Sequence, residues 1–100
     1  MTQPRYTILI VDDSPLDCDL YRQYLLQDTK YQYTIVVAQL GQVGLELWQR
    51  HQPDLVLLDY RLLDLNGVEF LTELQTLTHK SFLPVIKVQF FTTSSANLCG

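Results

Sequence analysis

The 100-residue sequence has few cysteines, few basic residues and no long apolar run. Cys18 and Cys99 form no CxxC pair, so neither a disulfide scaffold nor a zinc site is predicted. The seven lysines and arginines are scattered and the net charge is −4, which argues against nucleic-acid binding by this segment. No apolar run has the length of a membrane span or of a signal-peptide core. We therefore expect a soluble, cytoplasmic protein without a membrane partner.

What is present is typical of one small folded domain. A hydrophobic content of 47% and a charged content of 18% lie within the globular range. Short apolar segments alternate with helical patterns in the order β-α-β-α-β-α-β, which predicts an α/β fold with a parallel sheet and right-handed crossovers. The predicted strands are Tyr6 to Val11, Tyr33 to Ala38, Asp54 to Asp59, and a fourth from Val85 onward.

The predicted helices have apolar residues at intervals of three and four. The first helix begins after a cap at Asp13 or Ser14, with Pro15 in its first turn. One buried face is expected on this helix, formed by Leu16, Leu20, Tyr21, Tyr24 and Leu25. The second and third helices have corresponding apolar stripes at Val43, Gly44, Leu47 and Trp48, and at Phe70, Leu71, Leu74 and Leu77.

Acidic residues stand where the first and third strands end. Asp12 and Asp13 follow the first strand, and Asp59 ends the third. In an open parallel sheet, ligands bind beyond the carboxyl ends of the strands. Three neighbouring carboxylates repel one another unless a cation or a proton intervenes, and oxygen ligands of this kind favour Mg²⁺. An aspartate beside such a metal can attack phosphorus, although Asp12 and Asp13 taken alone are equally well explained as helix caps.

Four segments together resemble the receiver domains of response regulators in two-component signalling. Ile8 to Ser14 (ILIVDDS) resembles the opening of these domains, and Asp54 to Asp59 (DLVLLD) resembles their phosphoacceptor strand. The spacing from Asp59 to Asn66-Gly67 matches the family's loop, and Pro84 to Ile86 resembles the start of its fourth strand. The resemblance covers roughly residues 5 to 88.

The resemblance implies a flavodoxin-like sheet of order 2-1-3-4 and a specific chemistry. Asp59 would be the phosphorylated residue and also a Mg²⁺ ligand. Asp13 would be a direct ligand, Asp12 would act partly through water, and the backbone carbonyl of Arg61 would complete the protein's share. The phosphodonor would be a histidine kinase or a histidine phosphotransfer protein. No enzymatic activity is implied beyond Mg²⁺-dependent self-phosphorylation.

The sequence departs from the family after the fourth strand. The position of the family's Thr or Ser falls on Gln89, and Thr92 or Thr93 would need a shifted register to replace it. The family's lysine, fifth strand and last helix are not recognised. We therefore expect an incomplete receiver-like domain over residues 1–91 and a tail over 92–100. Because a fixed cation would normally stabilise the phosphoryl oxygens, phosphorylation is expected to be slow or absent.

Two further functions stay open. Lys87 and Gln89 alternate with apolar residues, which is typical of an edge strand. A degenerate, non-phosphorylated module that dimerises through this fourth-strand edge, or through the tail, is the main alternative.

An aspartyl-phosphate hydrolase is the least favoured function, because Arg61 stands where such enzymes need an acid. Asp64 and the pair Asn66-Gly67 are interpreted as turn-formers.

Overall fold

The computed structural model describes residues 4–59, 62–78 and 85–88. These residues form one four-stranded parallel sheet of order β2-β1-β3-β4, which confirms the predicted order. The strands are β1 Arg5–Val11, β2 Gln32–Ala38, β3 Leu55–Asp59 and β4 Val85–Val88, and the helices are α1 Pro15–Leu26, α2 Gly41–His51 and α3 Gly67–Leu77. The predicted absence of a fifth strand and of a last helix, and the boundary at residue 91, fall outside the described residues.

The central strand, β1, pairs on both sides. Its register with β2 runs to the pair Val11 and Ala38, and its register with β3 runs to the pair Val11 and Leu58. The carboxyl ends of β1, β2 and β3 are therefore aligned at the same edge of the sheet. The residues that follow, Asp12 and Asp59, lie at one rim of the sheet.

Both faces of the sheet are covered by helices, as is usual for parallel sheets. Side chains alternate along a strand, so Leu9 and Val11 pack with α2 and α3, whereas Ile8 and Ile10 pack with α1. All four of these side chains are buried. β1 is consequently the apolar centre of the molecule.

The buried face predicted for α1 is wrong in part. Leu16 and Tyr24 are 74% and 71% exposed, respectively, and Leu20 is also exposed. The side chains of α1 that pack against the sheet are instead Tyr21, Leu25 and the buried Cys18. The apolar residues of α1 extend over a wider arc than the sheet can cover, and periodicity alone does not indicate which part of that arc is buried.

The other two helices pack closely on the opposite face. In α2 the buried residues include Gly44 and Trp48, whereas Val43, predicted to be buried, is exposed. Gly44 needs its small size: a Cβ there would lie 2.9 Å from Val11 Cγ2 and 3.1 Å from Phe70 Cε2. In this way Gly44 brings α2 into close contact with the end of β1 and with α3.

Candidate functional site

Three carboxylates meet at the carboxyl rim of the sheet, as predicted from the strand ends. Asp12, Asp13 and Asp59 each offer one oxygen atom, and these atoms lie within 4.8 Å of one another. The Asp12 N–H donates to the Ala38 carbonyl at 2.9 Å, which extends the β1–β2 pairing one step into the site. The sheet therefore fixes the backbone from which the acidic group projects.

Asp12 is the most buried member of the group, with 3% of its surface exposed. Its Oδ1 accepts a hydrogen bond from the Ser14 N–H at 2.9 Å. Burial, and to a smaller degree the charges of Asp59 and other acids, raise the pKa of Asp12 to about 6, although the Ser14 hydrogen bond lowers it. The site therefore contains a carboxylate whose negative charge is costly without a nearby cation.

The first turn of α1 borders the same rim. Ser14 is the N-cap, and its Oγ accepts a hydrogen bond from the Asp17 N–H at 3.3 Å, with Pro15 following as the first helical residue. The helix amino terminus carries a partial positive charge that offsets part of the acidic charge. The half-buried Asp13 lies between the end of β1 and this helix.

The oxygen spacing fits a small divalent ion. Ligand oxygens at about 2.1 Å from Mg²⁺ are about 3 Å apart when adjacent and about 4 Å apart when opposite. The observed limit of 4.8 Å is slightly wider, so small side-chain rotations, or one ligand bound through water, would suit the site. All three donors are hard oxygens, as Mg²⁺ prefers.

The loop after β3 is attached to the amino terminus of α2 by Asp64. Its carboxylate accepts hydrogen bonds from the Gly41 N–H at 2.7 Å and from the Gln42 N–H at 3.0 Å. Desolvation raises the pKa of Asp64, but these hydrogen bonds outweigh it and leave the pKa below its usual value. Leu40, the N-cap residue of α2, makes no side-chain hydrogen bond, so Asp64 supplies the cap from another part of the chain.

The same loop is fixed at its far end by a capping box. The Asn66 side chain accepts from the Glu69 N–H at 2.8 Å, and the Glu69 carboxylate accepts from the Asn66 N–H at 3.0 Å. The interpretation of Asp64 and Asn66 as turn-formers therefore missed their capping roles. An apolar residue at the N-cap of α2 was the available signal for Asp64.

Two other side chains lie near Asp12 without joining the acidic group. The Cys18 thiol donates to the Asp12 carbonyl oxygen at 3.5 Å, and burial raises the pKa of Cys18 to about 11. Burial, followed by the charge of Asp12, also raises the pKa of Tyr21. Both side chains therefore stay protonated at neutral pH, and a reactive thiolate is not favoured.

Several predicted positions lie outside the described residues. They include Arg61, whose carbonyl is predicted to bind the metal, and the positions Gln89, Thr92 and Thr93. For Lys87 only the strand backbone is described. Their predicted roles stay predictions.

Comparisons with known proteins agree with one another. Residues 8–98 match the family model described as response regulator receiver domain. The chain is 37% identical over 91 residues to a probable cyclic di-GMP phosphodiesterase of Vibrio cholerae, covering 91% of this chain and 19% of that protein. It is 31% identical over 85 residues to the polar-differentiation response regulator DivK of Brucella ovis, covering 85% of this chain and 67% of that protein.

A solved structure gives the same picture. The N-terminal domain of a response regulator receiver protein from Methanoculleus marisnigri superposes with a TM-score of 0.71 at 34% identity, covering 93% of this chain and 75% of that one. The chain spans only 19%, 35% and 26% of the length of three of the curated relatives that it matches. No helix within the described residues has the length and apolar character needed to cross a bilayer.

Proposed function

The chain belongs to the family of response regulator receiver domains of two-component systems, and from this membership we propose that Asp59 accepts a phosphoryl group. The observation that carries the proposal is the meeting of Asp12, Asp13 and Asp59 within 4.8 Å at the carboxyl rim. These residues occupy the ends of adjacent strands, which is where open α/β sheets place their ligands.

Receiver domains bind Mg²⁺ through acidic residues, and we propose that this chain does the same. Asp13 and Asp59 would bind the ion directly, Asp12 would act partly through water, and the carbonyl of Arg61 would be the fourth protein ligand. The ion would neutralise charge on the carboxylates and on the phosphoryl oxygens. The raised pKa of Asp12 supports this assignment, because a buried carboxylate gains most from a cation beside it.

The proposed transfer forms one P–O bond and breaks one P–N bond. An oxygen of Asp59 attacks the phosphorus of a phosphohistidine, and the departing imidazole keeps the bonding electron pair and takes up a proton from solvent. Receiver domains in general interact with histidine kinases or phosphotransfer proteins, and we propose a donor of that class for this chain. The rigid ends of β1 and β3 align the acceptor, which is the main task of the protein in such reactions.

Labelling by a small phosphodonor tests the proposal. Incubation with acetyl phosphate and Mg²⁺ is expected to add one phosphoryl group, measured by intact-protein mass spectrometry. Asp59→Asn should remove the labelling. Asp54→Asn is the matched control, because Asp54 directly precedes the opposite end of the same strand, where its carboxylate accepts from the Thr7 N–H at 2.8 Å. Equal labelling of Asp59→Asn would contradict the assignment of the acceptor.

A non-phosphorylated dimerisation module is the second candidate. Within the sheet of described residues, β4 is an end strand that pairs with β3. Unpaired backbone groups on an end strand can accept a strand from another chain. Absence of labelling at saturating acetyl phosphate, combined with a dimeric mass, would favour this candidate over phosphorylation.

A further inference from the structure

The outer edge of β2 lacks the features that usually protect a strand edge. In the sheet of described residues, β2 pairs only with β1. Proteins commonly protect such an edge with charged residues, proline, a bulge or a very short strand. The seven residues of β2 include no charge, proline or glycine, and the run from Thr34 to Val37 is β-branched or aliphatic throughout. Their register with β1 is continuous, without a bulge.

The hydrogen bonds to β1 show which backbone groups of β2 face outward. The Gln32 N–H donates to the Pro4 carbonyl at 2.9 Å. At the other end, the Asp12 N–H donates to the Ala38 carbonyl, also at 2.9 Å. Because the N–H and C=O groups of successive residues point to opposite sides of a strand, the even-numbered residues of β2 bond to β1. The odd-numbered residues therefore direct both groups away from β1, and they are Tyr33, Ile35 and Val37.

The helices leave the outer flank of β2 partly exposed on both faces of the sheet. The side chains of β1 from Ile8 to Val11 are buried. In contrast, Ile35 and Val37 on the α1 face, and Val36 on the α2 face, are only half-buried. A strand added beside β2 would therefore bury apolar surface on both faces as well as pair the outward backbone groups.

We propose that two copies of this chain pair through β2, antiparallel and centred on Ile35, to form one continuous sheet. In this register the two Ile35 residues exchange both of their outward hydrogen bonds, and Tyr33 does the same with Val37 of the second copy. The contact is self-complementary, as a two-fold interface requires. Aromatic and β-branched residues are favourable cross-strand neighbours, and no like charges stand opposite each other.

The charge distribution favours the antiparallel arrangement over a parallel one. The acidic group follows the end of β1, which is level with the end of β2. A seven-residue strand is about 23 Å long, so antiparallel pairing separates the two acidic groups by more than that length. At physiological ionic strength their repulsion is then screened, since the Debye length is about 8 Å. A parallel pair would place both groups at the same end.

Sedimentation velocity and residue-resolved amide hydrogen exchange by NMR, on the full chain from about 10 µM to about 1 mM, test the pairing. A strand edge buries less surface than the about 800 Å² per partner of stable complexes, so we expect a dimer only at high concentration. Where about nine-tenths of the chains are dimeric, exchange of the Tyr33, Ile35 and Val37 amides should slow about tenfold. The Thr34 and Val36 amides are the internal control, because β1 protects them already in the monomer.

Two substitutions at the centre of the pair separate backbone pairing from side-chain packing. Ile35→Pro removes an outward N–H that β1 does not use, and proline is tolerated at such edge positions. Ile35→Ala is the matched control, since it shortens the same side chain and keeps the N–H. We expect Ile35→Pro to stay monomeric at the highest concentration and Ile35→Ala still to dimerise, with circular dichroism confirming that both are folded.

A monomeric mass of the unsubstituted chain at every concentration overturns the proposal. So does a dimer whose Tyr33, Ile35 and Val37 amides exchange as fast as in the monomer, because another surface, such as the β4 edge, then forms the contact. A folded Ile35→Pro that dimerises as well as Ile35→Ala also overturns it. If Ile35→Pro does not fold, the exchange rates of the unsubstituted chain decide. None of these outcomes affects the proposed phosphorylation, which the labelling of Asp59 tests separately.

Discussion

At the scale of single residues, Asp12 combines burial with charge. Its surroundings include Asp13, Asp59 and the first turn of α1, and it is 3% exposed. Strand propensity and the resemblance to a family placed this acid correctly at the end of β1. Neither could give its burial or its pKa, because both depend on how α1 and the sheet close around it.

The raised pKa of Asp12 predicts an unusual dependence of stability on pH. Its pKa is about 6 in the folded chain against an ordinary value of 3.8, so the folded state binds more protons between these values. Without metal, the free energy of unfolding should therefore rise by about 1 kcal/mol as the pH falls from 7 to 5. Asp64 and Asp28 have lowered pKa values, so their stabilising contributions are lost only at lower pH.

Urea unfolding at both pH values, in the presence of a chelator, checks this prediction. Asp12→Asn should lack the increase, and subtracting its response removes the contribution of other titrating groups. Saturating Mg²⁺ should stabilise the native chain at pH 7 and do so less as the pH falls through 6, because protons compete with the ion for Asp12. If the unfolding free energy of the native chain changes between pH 7 and pH 5 by the same amount as that of Asp12→Asn, the assignment is refuted.

At the scale of elements, the packing of α2 depends on Gly44. Ala favours a helix over Gly by about 1 kcal/mol, but the new Cβ would press on Val11 and Phe70, both fully buried. Overpacking of a core typically costs about 1–3 kcal/mol, so Gly44→Ala should destabilise the chain by about 1 kcal/mol or more.

Chemical unfolding measures this effect, with Gln49→Ala as the control on the exposed side of the same helix. The control should change the unfolding free energy by about 0.5 kcal/mol or less. If Gly44→Ala is as stable as the native chain, then α2 can move away from β1 without loss of unfolding free energy.

The elements also show what sequence can and cannot give. The ends of β1, β2 and β3 agree with the predictions at the rim, because an aspartate directly follows the apolar run of β1 and an alanine and an aspartate end those of β2 and β3. The buried side of α1 was predicted only in part, since Leu16 and Tyr24 are as apolar as the residues that do face the sheet. The Asp64 bridge joins residues more than twenty positions apart, so no local pattern encodes it.

At the scale of the whole molecule, the strand order makes β4 an end strand of the described sheet. If this edge pairs with a second copy, the mass should rise from monomer to dimer with concentration. Sedimentation velocity from micromolar to near-millimolar protein measures this. A monomeric mass throughout would exclude both the edge and the tail as dimer contacts under those conditions.

The central position of β1 has a consequence for how the chain is built. β1 is synthesised first, yet its pairing on one side waits for β3, which emerges only after two helices and a strand have been made. Until then a strand containing the buried residues Ile8, Leu9 and Ile10 has an open flank, which chaperones or premature partners can occupy. Asp59 arrives as the last residue of the strand that closes that flank. The docking of β3 thus completes the acidic rim and closes the flank of β1 together, before α3 adds Phe70 and Leu74 to the core.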